Sequence, residues 1–257
     1  MTLYDYSSHA EFYDEMMPLL TEESGEIAYY SDVLRGKQRI VEFGCGTGRV
    51  SFPLIQYLAA SGPLKEYLGI DYSQEMIDVA RRKLSERDDI PPVERIEFLM
   101  ADATKTIPKL EEGAYDAAIA VCGLTSLLGV DRLAAFFRNA RFAVAPGGTL
   151  VLDSLDPEII RASVAIVDRS YMRTSDSSGL ASFVGVSGDR YNAEFVWISG
   201  STARRFSEES QLVPPEVLDE VAKASGFRAS PHESDELQHK VAQVNGPVMY
   251  FRVYTRV

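Results

Sequence analysis

Short apolar runs alternate with longer amphipathic stretches through the middle of the chain. The apolar runs are bounded by Gly, Asp or Pro, as buried parallel strands are, and they cover residues 39–43, 67–70, 96–100, 115–121 and 149–152. Between them, helical periodicity covers residues 50–60, 74–87 and 131–144. Ser73 can cap the second of these helices, whose apolar residues fall on one side. The alternation predicts a doubly wound, Rossmann-like α/β sheet.

The first 35 residues lie outside this alternation. Residues 10–20 and 22–34 are predicted to form two short helices, and the segment is unusually rich in aromatic side chains. Segments of this kind often close over a ligand and exclude water from a reaction. We therefore expect residues 1–36 to form an N-terminal helical lid and residues 37–257 to form the main domain.

The pattern also changes after Asp153. Residues 164–173, 180–186 and 191–199 favour strands separated by turn residues, which predicts a small antiparallel β-ribbon inserted at about residues 160–205. A helix is predicted from Pro215 to Ala224, with Gly226 ending it. Residues 249–257 alternate as a closing strand.

The strongest local signal is a glycine-rich turn directly after the first predicted strand. Gly44, Gly46 and Gly48 alternate with other residues there, and a helix follows. Glycines let the backbone turn sharply and approach a ligand, and the helix N-terminus offers free N–H groups. A tight strand-to-helix turn is the simpler explanation, but the position between strand and helix favours a ligand site. A dinucleotide-binding turn needs its third glycine one position later, where Arg49 stands.

Two carboxylates end the next two predicted strands. Asp71 ends the second and can accept hydrogen bonds from both hydroxyls of a ribose, although it can also cap the following helix. Asp102 ends the third, where it is either an acceptor for a ligand amine or an ordinary turn residue. Open α/β sheets bind ligands at the edge where these strand ends meet.

The order of these motifs resembles that of class I S-adenosylmethionine-dependent methyltransferases. The matching segments are residues 42–48, 69–76, 101–103, 115–116 and 146–148. The resemblance covers residues 39–153 and implies a seven-stranded sheet whose last strand is antiparallel. It also implies S-adenosyl-L-methionine as the cofactor.

Site residues follow from the resemblance by position. Those expected around the methionine and ribose portion are Glu42, Gly44, Cys45, Gly46, Gly48 and Asp71. Those expected around the adenine are Tyr72, Met76, Asp102 and Ala103. Val121 and Cys122 would lie near the sulfonium and the substrate.

The flanking segments are similar to those of small-molecule methyltransferases, including the amino-sugar N-methyltransferase group. Phe12, Tyr13 and Asp14 resemble part of that group's N-terminal lid, so Tyr13 joins the expected cofactor-binding residues. The Asp/Asn-Pro-Pro-aromatic motif of nucleic-acid amino-methyltransferases has no counterpart in residues 121–126. Acidic metal ligands of the catechol-type enzymes are also missing from this edge. The resemblance therefore implies methyl transfer to nitrogen or oxygen of a small-molecule metabolite.

Charge and cysteine content indicate which binding partners and which cellular location the sequence favours. Acidic residues outnumber basic ones by 38 to 26, giving a formal charge of −12, which repels nucleic-acid phosphates. Cys45 and Cys122 suggest neither a disulfide framework nor a metal site, which favours a cytoplasmic location. We expect no signal peptide and no membrane span, since the N-terminus lacks a basic start and no run reaches about 20 apolar residues. Both a monomer and a homodimer are compatible with the sequence.

No catalytic residue can be nominated from the sequence. His9, His232 and His239 show neither ligand nor base spacing, and Tyr171, Tyr191 and Trp197 can equally line a pocket or fill a core. Two other functions stay open on this scaffold. One is an enzyme that cyclises or cleaves the cofactor, and the other is a non-catalytic cofactor-binding subunit.

Overall fold

The protein is described by a computed structural model that covers residues 10, 13–14, 25–166, 169–175, 178–230 and 249–257. The described elements, in chain order, are α1 (Glu26–Val33), β1 (Arg39–Phe43), α2 (Ser51–Ser61), β2 (Glu66–Asp71), α3 (Gln74–Ser85), β3 (Arg95–Met100), β4 (Tyr115–Ala120), α4 (Leu124–Leu128), α5 (Val130–Ala143), β5 (Val144–Leu155), α6 (Pro157–Ile166), β6 (Arg169–Ser175), β7 (Ser178–Ser187), β8 (Arg190–Ser199), β9 (Thr202–Gln211), α7 (Pro215–Ala224), β10 (Phe227–Ala229) and β11 (Met249–Arg256).

Seven strands form the large sheet, in the order β10-β11-β5-β4-β1-β2-β3. Strands β1 to β5 run parallel to one another, whereas β11 is antiparallel to β5 and β10 is antiparallel to β11. The predicted doubly wound sheet with an antiparallel last strand is confirmed. Because β1 to β4 are parallel, the segments that follow them all emerge at one edge, which we call the carboxyl edge.

Apolar side chains cover both faces of the large sheet. Adjacent residues of β1 alternate between the two cores, with Val41 packed beside Phe136 on one face and Ile40 beside Tyr29 on the other. Both faces are dry because helices cover them, which explains why the strands appear in the sequence as continuous apolar runs. Among the described helices, none combines the length and apolarity needed to cross a bilayer.

The segment after β5 differs from the prediction. Residues Val164–Ile166, expected in a strand, end helix α6 instead. Asp156 starts that helix, because its Oδ1 accepts the backbone N–H groups of Glu158 and Ile159 at 2.9 and 3.0 Å, and Pro157 occupies the first turn. These local start signals outweigh the β-branched residues that follow.

A second, four-stranded antiparallel sheet, which we call the small sheet, follows α6 in the order β6-β7-β8-β9. The ribbon was expected, but its last strand, β9, was missed because its sequence is mostly polar and gives little apolar alternation. Helix α4 and the three-residue strand β10 were also missed. The predicted α7 and the closing strand are present.

The small sheet has one apolar face, which we call the inner face. Directly paired residues in antiparallel strands share a face, and Tyr191, Phe195 and Trp197 of β8 are all buried on this one. They pack with Leu155 and Ile160 beside the end of β5. The inner face is therefore attached to the large sheet near its carboxyl edge.

Candidate active site

The glycine-rich turn is held open at the end of β1. Gly44, Gly46 and Gly48 have φ angles of 78°, 54° and 82°, values that residues with side chains rarely adopt. The N–H groups of Gly44 and Cys45 donate to the Ile70 carbonyl at 2.7 and 3.0 Å, which fixes the turn to β2. A Cβ atom on Gly46 would meet no protein atom within 4 Å. The backbone at Gly46 is therefore accessible to a ligand.

Asp71 connects this turn to the end of β2. Its Oδ2 accepts the Gly46 N–H and its Oδ1 accepts the Ser73 N–H, both at 2.9 Å. Burial raises the pKa of Asp71, and these N–H groups partly offset that rise. A carboxylate can accept about four hydrogen bonds, so Asp71 keeps capacity for a ligand hydroxyl. Ser73, not Asp71, caps α3, since its Oγ accepts the Met76 N–H at 3.3 Å.

Asp102 and Ala103 follow β3 at the same edge. Asp102 Oδ1 accepts the Thr104 N–H at 2.9 Å and the Thr104 hydroxyl at 2.7 Å, and its Oδ2 lies 3.2 Å from Lys105 Nζ. Burial by itself raises the pKa of Asp102, but the Thr104 and Lys105 contacts outweigh it and lower the pKa overall. The carboxylate is therefore ionised at neutral pH. Ala103 is 8% exposed.

Tyr72 and Met76, both expected beside an adenine, have different surroundings. Tyr72 is 47% exposed at the carboxyl edge. Met76 is 1% exposed and packs against Ala10 of the N-terminal segment and Val79 of α3. The N-terminal segment therefore covers the start of α3, directly beyond the end of β2.

Glu42 lies beneath the glycine-rich turn, fully buried. Its Oε2 accepts a hydrogen bond from Tyr67 Oη at 2.7 Å and another from Ser51 Oγ in the first turn of α2. Burial raises the pKa of Glu42 to about 7, against the lowering effect of these two hydroxyls. Glu42 thus joins β1, β2 and α2 where the turn begins.

Val121 and Cys122 lie at the end of β4, where the backbone makes an unusual turn. Among the described residues, Cys122 is the one non-glycine residue with positive φ, at 59°. Asp153 stabilises this conformation, because its carboxylate accepts the N–H groups of Cys122 and Gly123 at 2.9 and 2.7 Å. It also accepts the Tyr30 hydroxyl at 2.6 Å. Burial raises the pKa of Asp153 to about 6.

Asp153 was not predicted as a site residue. It lies late in β5, and its role depends on β4 and α1, which are distant in sequence. The sequence did contain one signal for it, since Asp153 is the single acidic residue in the mostly apolar run from Leu150 to Leu155. In the structure Asp153 is 1% exposed, which is unusual for an acidic side chain. Such a residue needs partners, and here they fix the end of β4.

Arg49 connects the turn to the end of β4. Its guanidinium forms an ion pair with Glu26 of α1 and lies 2.6 Å from Cys122 Sγ. Tyr13 lies beside this group. Burial raises the pKa of Tyr13, with Cys122 and Glu208 adding to the rise and Arg49 opposing it. Arg49 therefore joins α1, the glycine-rich turn and the end of β4.

Asp14 fastens the N-terminal segment to the glycine-rich turn. Its Oδ1 accepts the Thr47 hydroxyl at 2.5 Å, and its Oδ2 lies 2.9 Å from Lys83 Nζ. Lys83 Nζ also donates to the Thr47 carbonyl at 3.0 Å. Tyr13, the next residue back, packs against the inner face of the small sheet. The two residues place this segment between the turn and the small sheet.

The expected residues after β1 to β4 thus share the carboxyl edge. Gly46 and Asp71 are in contact, and Asp102 and Cys122 end the neighbouring strands. Within the described ranges, no group of three or more His, Cys, Asp or Glu side chains could hold a metal ion.

Comparison with known proteins finds a family match for the central part of the chain. Residues 40–148 match the family model described as "Methyltransferase domain". The Bacillus subtilis (strain 168) protein YqeM, named as a methyltransferase, is 27% identical over 231 residues, which are 87% of this chain and 86% of YqeM.

Solved structures show the same fold. The CcbJ methyltransferase from Streptomyces caelestis matches with a TM-score of 0.70 and 21% identity, over 91% of this chain and 95% of that one. CalS10, an amino pentose methyltransferase from Micromonospora echinaspora, matches with a TM-score of 0.63 and 20% identity, over 100% and 99%. At these identities the likeness concerns the fold.

Proposed function

We propose that this chain is an S-adenosylmethionine-dependent methyltransferase that methylates nitrogen or oxygen of a small-molecule metabolite, since residues 40–148 match the methyltransferase-domain family model. When bound, the cofactor S-adenosyl-L-methionine supplies an electrophilic methyl group on a sulfonium. The observation that carries the proposal is the contact between Asp71 and Gly46. It joins the carboxylate that we propose as the ribose ligand to an accessible glycine backbone, at the edge where open α/β sheets bind ligands.

We propose the following roles at the carboxyl edge. The glycine-rich turn, with Glu42 beneath it and Cys45 within it, holds the methionine portion, and Asp71 holds the ribose hydroxyls. Residues around the adenine are Tyr72, Met76, Asp102 and Ala103. Val121 and Cys122 lie on the side where the methyl group is transferred, as does Tyr13. The polar groups available here fit the cofactor, since Asp71 has spare acceptor capacity and Asp102 is ionised.

The acceptor is proposed to bind between the carboxyl edge and the inner face of the small sheet. Tyr13 of the N-terminal segment packs against the inner face, so a molecule bound here would be covered on two sides. A site covered on two sides suits a small molecule, whereas a duplex or a folded protein needs an open face. The name of the fold relative CalS10, an amino pentose methyltransferase, is consistent with this size of acceptor.

We further propose that residues 1–36 act as a lid on the domain formed by residues 37–257. Closing the lid positions the two reactants and excludes water. Holding two reactants in line can lower the barrier by about 7–11 kcal/mol, so methyl transfer requires no nucleophile from the protein. A cytoplasmic location stays a prediction of the sequence.

The experiment is a methyl-transfer assay with labelled S-adenosyl-L-methionine, on a bacterial metabolite extract and on a transfer-RNA pool, each with and without EDTA. We expect labelled small molecules, unlabelled RNA and no effect of the chelator. Activity should also vary little with salt, since no counterions are released from a nucleic acid. Labelled RNA would contradict the substrate class, and label that disappears with EDTA would contradict a metal-free mechanism. Asp71→Ala is the matched control for background transfer.

A further inference from the structure

Asp153, near the end of β5, uses its buried carboxylate on groups of the protein itself. The carboxylate accepts the Tyr30 hydroxyl at 2.6 Å and the N–H groups of Cys122 and Gly123 at 2.9 and 2.7 Å. All three donors are neutral, and together they engage both carboxylate oxygens. Because Asp153 is only 1% exposed, it serves these groups and does not act on a substrate directly.

The segment after β4 depends on Asp153 for its conformation. Cys122 has a φ of 59°, which residues with side chains rarely adopt and which persists only where the surroundings hold it. Besides the N–H groups of Cys122 and Gly123, the Thr125 hydroxyl at the start of α4 donates to the Asp153 carbonyl at 2.8 Å. Three hydrogen bonds to a single residue therefore fix this segment.

The same segment contacts the glycine-rich turn. Leu124 lies directly against Gly44, since its Cδ atoms would be 3.2 Å from a Cβ added there. Cys122 Sγ lies 2.6 Å from the guanidinium of Arg49, which directly follows the turn. A change in the backbone at Cys122 would therefore shift the groups that face the place proposed for methyl transfer.

Tyr30 connects this arrangement to the N-terminal segment. Tyr30 is fully buried in α1, and its ring packs against Phe251 of β11 with 5.9 Å between the ring centroids. Phe251 is the strand partner of Asp153. Glu26 of the same helix forms an ion pair with Arg49. Helix α1 is thus the anchored part of the N-terminal segment, attached to the end of β4 through both Asp153 and Arg49.

We propose that Asp153 is a positioning residue for methyl transfer, which holds the end of β4 in place and ties it, through Tyr30, to the anchored helix of the lid. The proposal rests on the proposed function and concerns residues that touch neither cofactor nor substrate. A merely structural role would lower stability and leave turnover of the folded enzyme unchanged. A positioning role lowers kcat, because misplacing reacting groups by about 1 Å can cost about a hundredfold in rate.

The arrangement requires an ionised Asp153. The N–H groups of Cys122 and Gly123 can only donate, so a protonated Asp153 would have to give its proton to Tyr30 Oη and reverse that hydrogen bond. Burial raises the pKa of Asp153 to about 6, against the lowering effect of its three donors. The carboxylate is therefore mostly ionised at neutral pH and gains its proton in mild acid.

The groups around Asp153 do not titrate in that range. The Tyr30 hydroxyl and the Cys122 thiol stay protonated, because burial raises the pKa of both. The charged groups nearby, Glu26 and Arg49, pair with each other. We therefore expect kcat to fall as the pH falls through about 6.

The test measures kinetics on the small molecule that the wild-type protein labels in the metabolite extract. We expect kcat to fall about fivefold in Tyr30→Phe and about tenfold or more in Asp153→Asn, with KM unchanged. Tyr254→Phe is the matched control and should keep the wild-type kcat. The Tyr254 hydroxyl also donates to an aspartate, Asp219, at 2.6 Å from a buried ring, but Tyr254 pairs with Leu150, towards the opposite edge of the sheet. Calorimetric affinity for S-adenosylhomocysteine shows that each variant is folded.

The pH profile of kcat separates positioning from stability. Wild type and Tyr254→Phe should both lose kcat as the pH falls through about 6, whereas Asp153→Asn should be slow throughout and lack this fall. Glu42, with a pKa of about 7, is present in all the variants, so its titration does not distinguish them. A fall at about pH 6 that persists in Asp153→Asn would overturn the role of the Asp153 charge.

Hydrogen exchange gives a readout that does not depend on turnover. Tyr30→Phe should accelerate exchange in residues 121–125, although the substitution lies in α1, and Tyr254→Phe should not. Equal kcat and equal exchange in the two phenylalanine variants would overturn the positioning role while leaving the proposed methyl transfer intact. The absence of any labelled small molecule contradicts the proposed function itself, and the positioning role with it.

Discussion

The carboxyl edge of the large sheet and the inner face of the small sheet meet around Tyr13, but they are built differently. The edge is made of backbone, since glycines with positive φ and strand-end carboxylates such as Asp71 are joined by N–H groups. The inner face is made of side chains, with Tyr191, Phe195 and Trp197 forming its apolar surface. The first arrangement depends on backbone conformation, while the second depends on the identity of individual side chains.

This difference between the two regions predicts which substitutions should affect cofactor binding. Changes in the edge should affect cofactor binding whatever the acceptor, because the backbone conformation itself is part of the site. Changes on the inner face should leave cofactor binding intact and alter only the acceptor. The largest expected effects therefore come from the glycine-rich turn.

Gly46→Val should abolish binding of S-adenosylhomocysteine. Gly46 has a φ of 54°, which a β-branched residue resists, and the added side chain would enter space that the protein leaves to a ligand. We expect a loss of about hundredfold or more, equivalent to about 2.8 kcal/mol, in a calorimetric titration. Gly200→Val is the control, since Gly200 has a φ of 57° with no atom within 4 Å of an added Cβ. Normal affinity in folded Gly46→Val would mean that the turn is only structural.

Asp71→Ala should weaken the same binding by a smaller factor. Charge-assisted hydrogen bonds contribute roughly 1.5–3 kcal/mol, so a loss of about tenfold or more is expected. Asp116→Ala is the matched control. Asp116 Oδ2 also accepts two backbone N–H groups, those of Gln38 and Arg39 at 2.8 and 3.0 Å, but at the opposite edge of the sheet. If both variants lost affinity equally, Asp71 would be a structural residue and not a ribose ligand.

Asp14→Ala tests the boundary between the two regions, where the N-terminal segment contacts the glycine-rich turn. Removing its contacts with Thr47 and Lys83 should loosen the N-terminal segment and lower kcat/KM by about fivefold at most, since the ion pair is partly exposed. Hydrogen exchange in residues 1–24 should rise in the variant and fall less when S-adenosylhomocysteine is added. Asp32→Ala removes an exposed ion pair with Arg35 and should change neither. If hydrogen exchange in residues 1–24 of the wild-type protein did not change when S-adenosylhomocysteine is added, the lid would be contradicted.

The sequence predicted the carboxyl edge well for a physical reason. Each part of it is encoded locally, as an apolar run followed by Gly44 to Gly48 or by a single acidic residue such as Asp71. Parallel strands then bring these strand ends together without further information. The predicted large sheet was confirmed, while the individual roles of the site residues stay predictions.

The acceptor side could not be predicted in the same way. Tyr13, Cys122 and Tyr191 are far apart in the chain, and only tertiary packing places Tyr13 against the inner face. Strand β9 itself was missed because its polar residues give little apolar alternation. The strand expected at Val164 was wrong because Asp156 and Pro157 start a helix there.

The most direct test of the account is a crystal structure of the protein with S-adenosylhomocysteine bound. We expect the ribose hydroxyls within hydrogen-bond distance of Asp71, the adenine beside Tyr72 and Asp102, and the sulfur facing Tyr13. A ligand that binds away from the glycine-rich turn, or whose sulfur points away from Tyr13, would contradict these roles.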